Sequence, residues 1–152
     1  MSETVWKPHM TVAALCEQNG RYLMVKESID ERIVYNQPAG HLEPDETLEA
    51  AVIRETREET GYRFVPSALQ GVYRYSLPGE NRKTFIRFLF RGEVYEQYEG
   101  ALDQGIIAAE WLTYEEILAC REIHRTPMVL QCIEDSRVNP GFPLHVISRK
   151  FA

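Results

Sequence analysis

Cysteine is scarce in this chain: Cys16, Cys120 and Cys132 are odd in number, far apart, and form no Cys-x-x-Cys pair. That excludes a disulfide framework and a cysteine zinc centre, and predicts reduced thiols in a cytoplasmic protein. No apolar run approaches the ~20 residues that span a bilayer. The first eleven residues carry Glu3, Lys7 and His9 instead of a signal's apolar stretch, so no membrane association is expected. There is no basic stripe, which argues against long nucleic acid as a partner. Repeats, low-complexity tracts and linkers are also missing, so residues 1–152 are expected to form one domain.

What the chain does have is acid in one place. The net charge is −6, and residues 43–59 alone hold seven carboxylates against Arg54 and Arg57. The rest of the chain is close to neutral. An excess spread evenly would speak only to solubility, whereas a local one asks for a cation.

The pattern along the chain alternates strands and helices. His9 to Cys16 is apolar and β-branched, and Asn19-Gly20 signals a hairpin before Tyr22 to Lys26. Ile33 to Gln37 predicts a short strand, and Pro38 to Pro44 a loop. Thr47 as N-cap, Glu49 in the first turn and Gly61 just past the end bracket a helix. Strands are expected at Ala68 to Ser76, Lys83 to Tyr95 and Ile106 to Leu112, with helices at Tyr114 to Cys120 and Thr126 to Asp135. Pro143 to Ser148 predicts a final edge segment. In Lys83 to Tyr95, Ile86, Phe88 and Phe90 alternate with Arg87, Leu89 and Arg91, which predicts one buried and one partly wet face. The class is α/β (α+β), a layered sandwich.

The helix over 47–60 carries the chemistry. With Leu48 at zero, Ala51 falls at ~300° and Val52 at ~40°, and Glu55, Glu58 and Glu59 at ~340°, ~280° and ~20°. The three carboxylates thus continue an apolar stripe instead of occupying the opposite, solvated face. Like charges ~5.5 Å apart repel by ~3 kcal/mol at an effective dielectric of ~20, against ~0.2–0.5 kcal/mol per pair on a wet face. The negative end of the helix dipole adds to the cost. Arg54 can reach Glu58 at i+4 and offset part of it, and a divalent cation would offset the rest. The donors are hard oxygens, with only His41 as a nearby nitrogen, which favours Mg2+ or Mn2+ over Zn2+.

Gly40, five residues, Glu46, seven residues, then Arg54-Glu55-Thr56-Arg57-Glu58-Glu59-Thr60-Gly61-Tyr62 resembles the Nudix box. Thr56 and Tyr62 depart from it, standing where a bulky aliphatic residue is usual, which puts in question only how the helix seats. The resemblance implies a Nudix α/β/α sandwich with a mixed sheet, and hydrolysis of a nucleoside diphosphate linked to another group. It implies Glu55, Glu58 and Glu59 as metal ligands, the Gly40 carbonyl as a further one, Arg54 as their holder and Glu46 as a helper. Gln37-Pro38-Ala39-Gly40-His41-Leu42-Glu43, Ile86-Arg87-Phe88-Leu89-Phe90 and Ala109 to Ile117 are similar to the NudJ-type phosphatases, as is His124-Arg125-Thr126-Pro127 leading to Pro143-Leu144. That branch acts on nucleoside tri- and diphosphates and a thiamine-precursor pyrophosphate. The resemblance then covers Lys7 to Leu144.

A hydrolase with this ligand set needs a carboxylate to take a proton from water. Glu55 and Glu59 are candidates within the box, and Glu93, Asp103 and Glu110 outside it. Arg87, and after it Arg74, are candidates for the phosphate chain. Tyr73 and Tyr75 share a strand face and either stack on a substrate ring or cover a core edge; His41 either touches substrate or packs its loop. Two other readings stand beside the phosphatase. One is an ADP-ribose or other nucleoside-diphosphate-sugar pyrophosphatase, since Pro78-Gly79 lies where such enzymes often carry a proline. The other is a catalytically silent nucleotide-binding regulator.

Overall fold

Strand β1 (His9–Leu15) explains the layering of the molecule. Its side chains alternate between two separate cores: Val12 and Ala14 face one, Ala13 and Leu15 the other. A strand covered on both faces reads as a continuous apolar run, which is what its sequence shows. The computed structural model describes residues 3–148.

In order follow β2 (Glu17–Gln18), β3 (Arg21–Ile29), β4 (Arg32–Asn36), β5 (Ala39–His41), α1 (Leu48–Thr60), β6 (Arg63–Ser76), β7 (Thr84–Tyr95), β8 (Ile106–Thr113), α2 (Tyr114–Ala119), α3 (Met128–Val138) and β9 (Phe142–Pro143). One sheet has the order β5-β1-β7-β6-β9, with β1 parallel to β7 and its other pairs antiparallel. In the second sheet β3 pairs with β2, β4 and β8, all antiparallel. Ala51 and Val52 of α1 enter the first core, and Ile117 of α2 with Val129, Cys132 and Ile133 of α3 the second. This is the expected α/β/α sandwich with a mixed sheet. No helix among the described residues is long and apolar enough to cross a membrane.

Helix α1 has the expected caps. Thr47 Oγ1 accepts from Ala50 N at 3.1 Å, a bond whose loss typically costs about 1 kcal/mol. Gly61 sits at φ 78° and donates to Arg57 O. The carbonyls of Glu58, Thr60 and Gly61 are taken by the β7–β8 connection: Asp103 N donates to Glu58 O at 2.9 Å, Tyr98 N to Gly61 O at 2.6 Å, and Gln97 Nε2 to Thr60 O at 3.3 Å. Helix ends must satisfy these groups somehow, and here doing so fixes that connection against α1. The two unusual box residues also find places. Thr56 is buried with its hydroxyl on Val52 O, and Tyr62 packs edge-on against Trp111.

Four expectations need correction. Residues 39–41 form a strand paired with β1, because Pro38 lies just outside it and still offers its carbonyl to Ala14 N. Strand β6 begins five residues early, at Arg63, and accommodates Pro66 at a register shift. The second face of β7 is not wet: α3 covers it, and Arg87 retains 4 % exposure. The final edge segment shrinks to Phe142–Pro143, followed by a 3-10 turn over Leu144–Val146.

Candidate active site

The site begins at the C-terminal half of α1, where Glu55 and Glu58 are joined by Asp103 from the β7–β8 connection. One carboxylate oxygen from each lies within 4.8 Å of the others. Glu55 is held by burial above its ordinary carboxylate pKa, an effect that the Arg54 guanidinium opposes and the charges of Glu58 and Asp103 reinforce.

Arg54 is the hub. Its Nε and Nη2 make a fork on Glu46 at 2.9 and 2.7 Å, and Nη1 reaches Glu55 at 2.8 Å and Glu58 at 3.1 Å. Nη2 also donates to His41 O at 3.0 Å. Glu46 in turn accepts from Glu43 N, and its pKa is held down mainly by the Arg54 bond. Glu46 therefore positions the arginine and stands outside the carboxylate group itself. One cation against three carboxylates leaves the cluster negative, and the donor set is all hard oxygen. That fits a divalent ion of the Mg2+ type.

Gly40 lies directly beneath. A β-carbon there would meet Glu55 Cδ at 2.0 Å and both its oxygens at 2.2 and 2.3 Å. Glu59 turns the other way: it is buried, and its Oε1 accepts from Ala39 N at 2.8 Å. Burial, reinforced by Glu27 and Glu55, pushes its carboxyl up to about 8 despite that bond. Of the other candidate carboxylates, Glu110 accepts from Tyr35 Oη at 2.7 Å and Glu93 from the Tyr95 hydroxyl. Neither joins the cluster.

On the far side of β5 a cavity of about 170 Å³ is bounded by Ala39, Gly40, His41, Asn36, Arg87 and Thr126, among others. Arg87 donates from Nη1 to Gln37 Oε1 at 2.8 Å and from Nη2 to Asn36 Oδ1 at 2.9 Å, while Nε is buried without a partner. The His41 ring stands edge-on to His9 at 5.6 Å, and its pKa is lowered first by burial, then by His9 and nearby cations. The other predicted contacts lie elsewhere. Tyr73 packs into the α3 core with its hydroxyl on Asp135, which is the core-edge role. Tyr75, paired with Phe85 on β7, is half-buried but does not line the cavity. Arg74 is exposed, and alternation on β6 puts it on the face opposite Tyr73. The sequence reading passed over Asn36, Arg125 and Thr126 as site residues, and nothing in their spacing marks them.

A model of the NUDIX domain matches residues 7–131. The chain belongs to the Nudix family. The Escherichia coli K12 phosphatase NudJ is 37% identical over 145 residues, covering 94% of this chain and 92% of that one. A NUDIX hydrolase from Nitrosomonas europaea superposes with a TM-score of 0.90 at 44% identity, over 93% of this chain and 97% of that one. The NUDIX domain of Shewanella oneidensis NrtR, complexed with ADP ribose, superposes at 0.70 over 88% of this chain and 89% of that one. Its 17% identity speaks to the fold alone. This Nudix protein is thus a hydrolase of the phosphoanhydride-cleaving type, and Glu55 and Glu58 of the cluster lie in its Nudix box.

Proposed function

We propose that the protein hydrolyses phosphoanhydride bonds of nucleoside tri- and diphosphates, or of small pyrophosphates of the thiamine-precursor type, with Mg2+ as cofactor and Mn2+ as a substitute. The observation that carries this is the convergence of Glu55, Glu58 and Asp103 oxygens within 4.8 Å. The Gly40 carbonyl and the Glu59 carboxylate would be further ligands in this reading. When bound, the ion polarises phosphoryl oxygens and makes water a better nucleophile.

The chain's own residues do the rest. Arg54 holds Glu55 and Glu58 together through Nη1, and Gly40 leaves room for Glu55. Asp103 is exposed, and no side chain among the described residues bonds its carboxylate. It is therefore the group best placed to accept a proton from attacking water. Glu59 is buried with its Oε1 already accepting from Ala39 N at 2.8 Å, and suits the task less well.

The substrate range rests on the 37% identity to NudJ over nearly the whole chain. We place the protein in the cytoplasm on the strength of its few, scattered cysteines, and read residues 1–152 as one domain because no linker interrupts the sequence. A screen of phosphoanhydrides with Mg2+, reading orthophosphate and pyrophosphate separately, tests the proposal. Nucleoside di- and triphosphates and small pyrophosphates should give higher kcat/KM than ADP-ribose. AMP plus ribose phosphate as the preferred outcome would make it a sugar-nucleotide pyrophosphatase, and no turnover of any compound would leave a nucleotide-binding regulator.

A further inference from the structure

Strand β6 has an open edge. It pairs with β7 along one side, whereas on the other side only Ala68 and Leu69 are paired, to β9. Over 71–76 no strand among the described residues takes the outer edge. Proteins commonly block such an edge with proline, lysine or a bulge. Here the bulge comes earlier, at Gln70, where the register against β7 shifts, and 71–76 contain Arg74 but neither proline nor lysine. Gly141, at φ 84°, turns the chain between α3 and β9, and a β-carbon on it would stand 2.8 Å from Leu69 O. Beyond that turn the slot in line with β9 is a crevice of about 300 Å³, bordered by Gln70, Val72, Tyr73, Asp135, Val138 and Phe142, among others.

The crevice is short of donors. Gln70 is 2 % exposed, and its Oε1 is buried without a partner. Its amide cannot be turned over, because the nitrogen donates to Asn139 O at 2.9 Å and a carbonyl only accepts. A buried acceptor left open is costly and rare. Asp135 accepts from Tyr73 Oη at 2.8 Å and Gln131 Nε2 at 2.7 Å, yet no cation among the described residues pairs with it. Arg87 and Arg91 of β7 spend donors beneath α3, on Asn36, Gln37 and Ser136 O, and neither borders the crevice. Its charge is therefore complementary to a basic group.

The apolar residues are arranged by face. Val72 pairs opposite Phe88, and Phe142 opposite Leu69, so both stand on the side of the first core. They are 55 and 52 % exposed. Asp135 bonds Tyr73 on the other side, and Val138 follows it at i+3 on α3, 86 % exposed. A strand laid along this edge presents alternate side chains to those two faces.

We infer that the open edge of β6 docks an extended peptide segment of a partner protein, one that carries a lysine or arginine between two apolar residues. The segment lies beside 71–76 in line with β9. Its basic side chain reaches Asp135 with the stem on Val138, and its apolar neighbours fill the space between Val72 and Phe142. A donor from the segment meets Gln70 Oε1. Main-chain bonds to the edge supply affinity, and the alternating side chains supply selectivity. The inference stands apart from the hydrolase reading and uses none of its residues.

Two blocked hexapeptides test it: acetyl-Thr-Val-Lys-Val-Thr-Ser-amide, and the same peptide with glutamate in place of lysine. Each is titrated into the isotope-labelled full chain. The lysine peptide should give saturable NMR shifts at the backbone amides of Gly71, Val72 and Tyr73 and at the Gln70 side-chain amide. It should bind about five-fold or more tightly than the glutamate peptide. Asp135→Asn should level the two. Val138→Lys, at a surface position, should weaken the lysine peptide by about ten-fold while the melting temperature stays unchanged. Equal affinity of the two peptides, shifts centred away from β6 and α3, or no shifts at millimolar peptide overturns the inference. So does methylammonium alone reproducing the shifts, which would make the crevice a site for small amines. A concentration-dependent dimer with its interface on 71–76 would overturn it too, by putting a second copy of this chain there. The wild-type titrations decide the matter even if a variant fails to fold.

Discussion

Glu55 rests its carboxylate against the bare Cα of Gly40, where a methyl group would stand 2.0 Å from Glu55 Cδ. The glycine is in extended β5 and not in a left-handed turn, so its value is space and not backbone freedom. Gly40→Ala should therefore leave the strand intact and push Glu55 away. A displacement of ~1 Å at a catalytic centre can cost ~100-fold in rate, and we expect kcat to fall by about that factor. Steady-state kinetics beside a thermal melt check this; a normal kcat would show that Glu55 has slack.

Activity should disappear in EDTA after full metal removal and return with Mg2+, because Arg54 alone cannot neutralise Glu46, Glu55 and Glu58. Glu58→Gln should lower kcat by at least ~100-fold with a smaller change in KM, as expected for a group that acts mainly in the transition state. Full turnover in EDTA, or a near-normal variant, would remove the cluster from catalysis.

Asp103 is the exposed member of the cluster, and no side chain among the described residues bonds its carboxylate. Asp103→Asn should cut kcat by ~100-fold or more, in the range usual for a general base. A variant with near-normal kcat would place the base elsewhere.

Helix α1 and its carboxylates were legible because period, caps and stripe all agree: Thr47 and Gly61 mark the ends, and Ala51 and Val52 point the way for Glu55 and Glu59. Asp103 was only one of several carboxylates in view, since what brings it to Glu58 is a backbone bond from its own N–H to the helix end. Strand β5 was hidden by Pro38 and Gly40, which read as loop while its pairing partner lies far back in sequence. The position of Arg87 was readable but not its burial. Alternation separates two faces of β7, and only the later packing of α3 says that both are covered.

Glu59 gives the sharpest test of the electrostatics. Without a cation its folded carboxyl is pushed up to about 8 from an ordinary 4.5, first by burial and then by Glu27 and Glu55. Below the ordinary value both folded and unfolded chains hold the proton, so the group costs nothing. Between the two values the folded chain keeps a proton that the unfolded chain releases. The unfolded state then binds fewer protons, and stability falls as pH rises. By pH ~8 most of the loss is present. Glu59→Gln lacks this titration yet keeps an oxygen to accept from Ala39 N, as Glu59 does at 2.8 Å. In EDTA the variant and wild type should be close in stability at pH ~5, and the variant more stable at pH ~8 by on the order of 2–4 kcal/mol. Saturating Mg2+ should favour the wild type, because binding to the folded state alone adds RT ln(1 + [L]/Kd). The gap should then close or reverse. Urea unfolding of both proteins at the two pH values, with EDTA and with Mg2+, reads all four differences. A variant less stable than wild type at the higher pH in EDTA would mean that Glu59 carries its charge in comfort there, and that the crowding on α1 is not what the cation relieves.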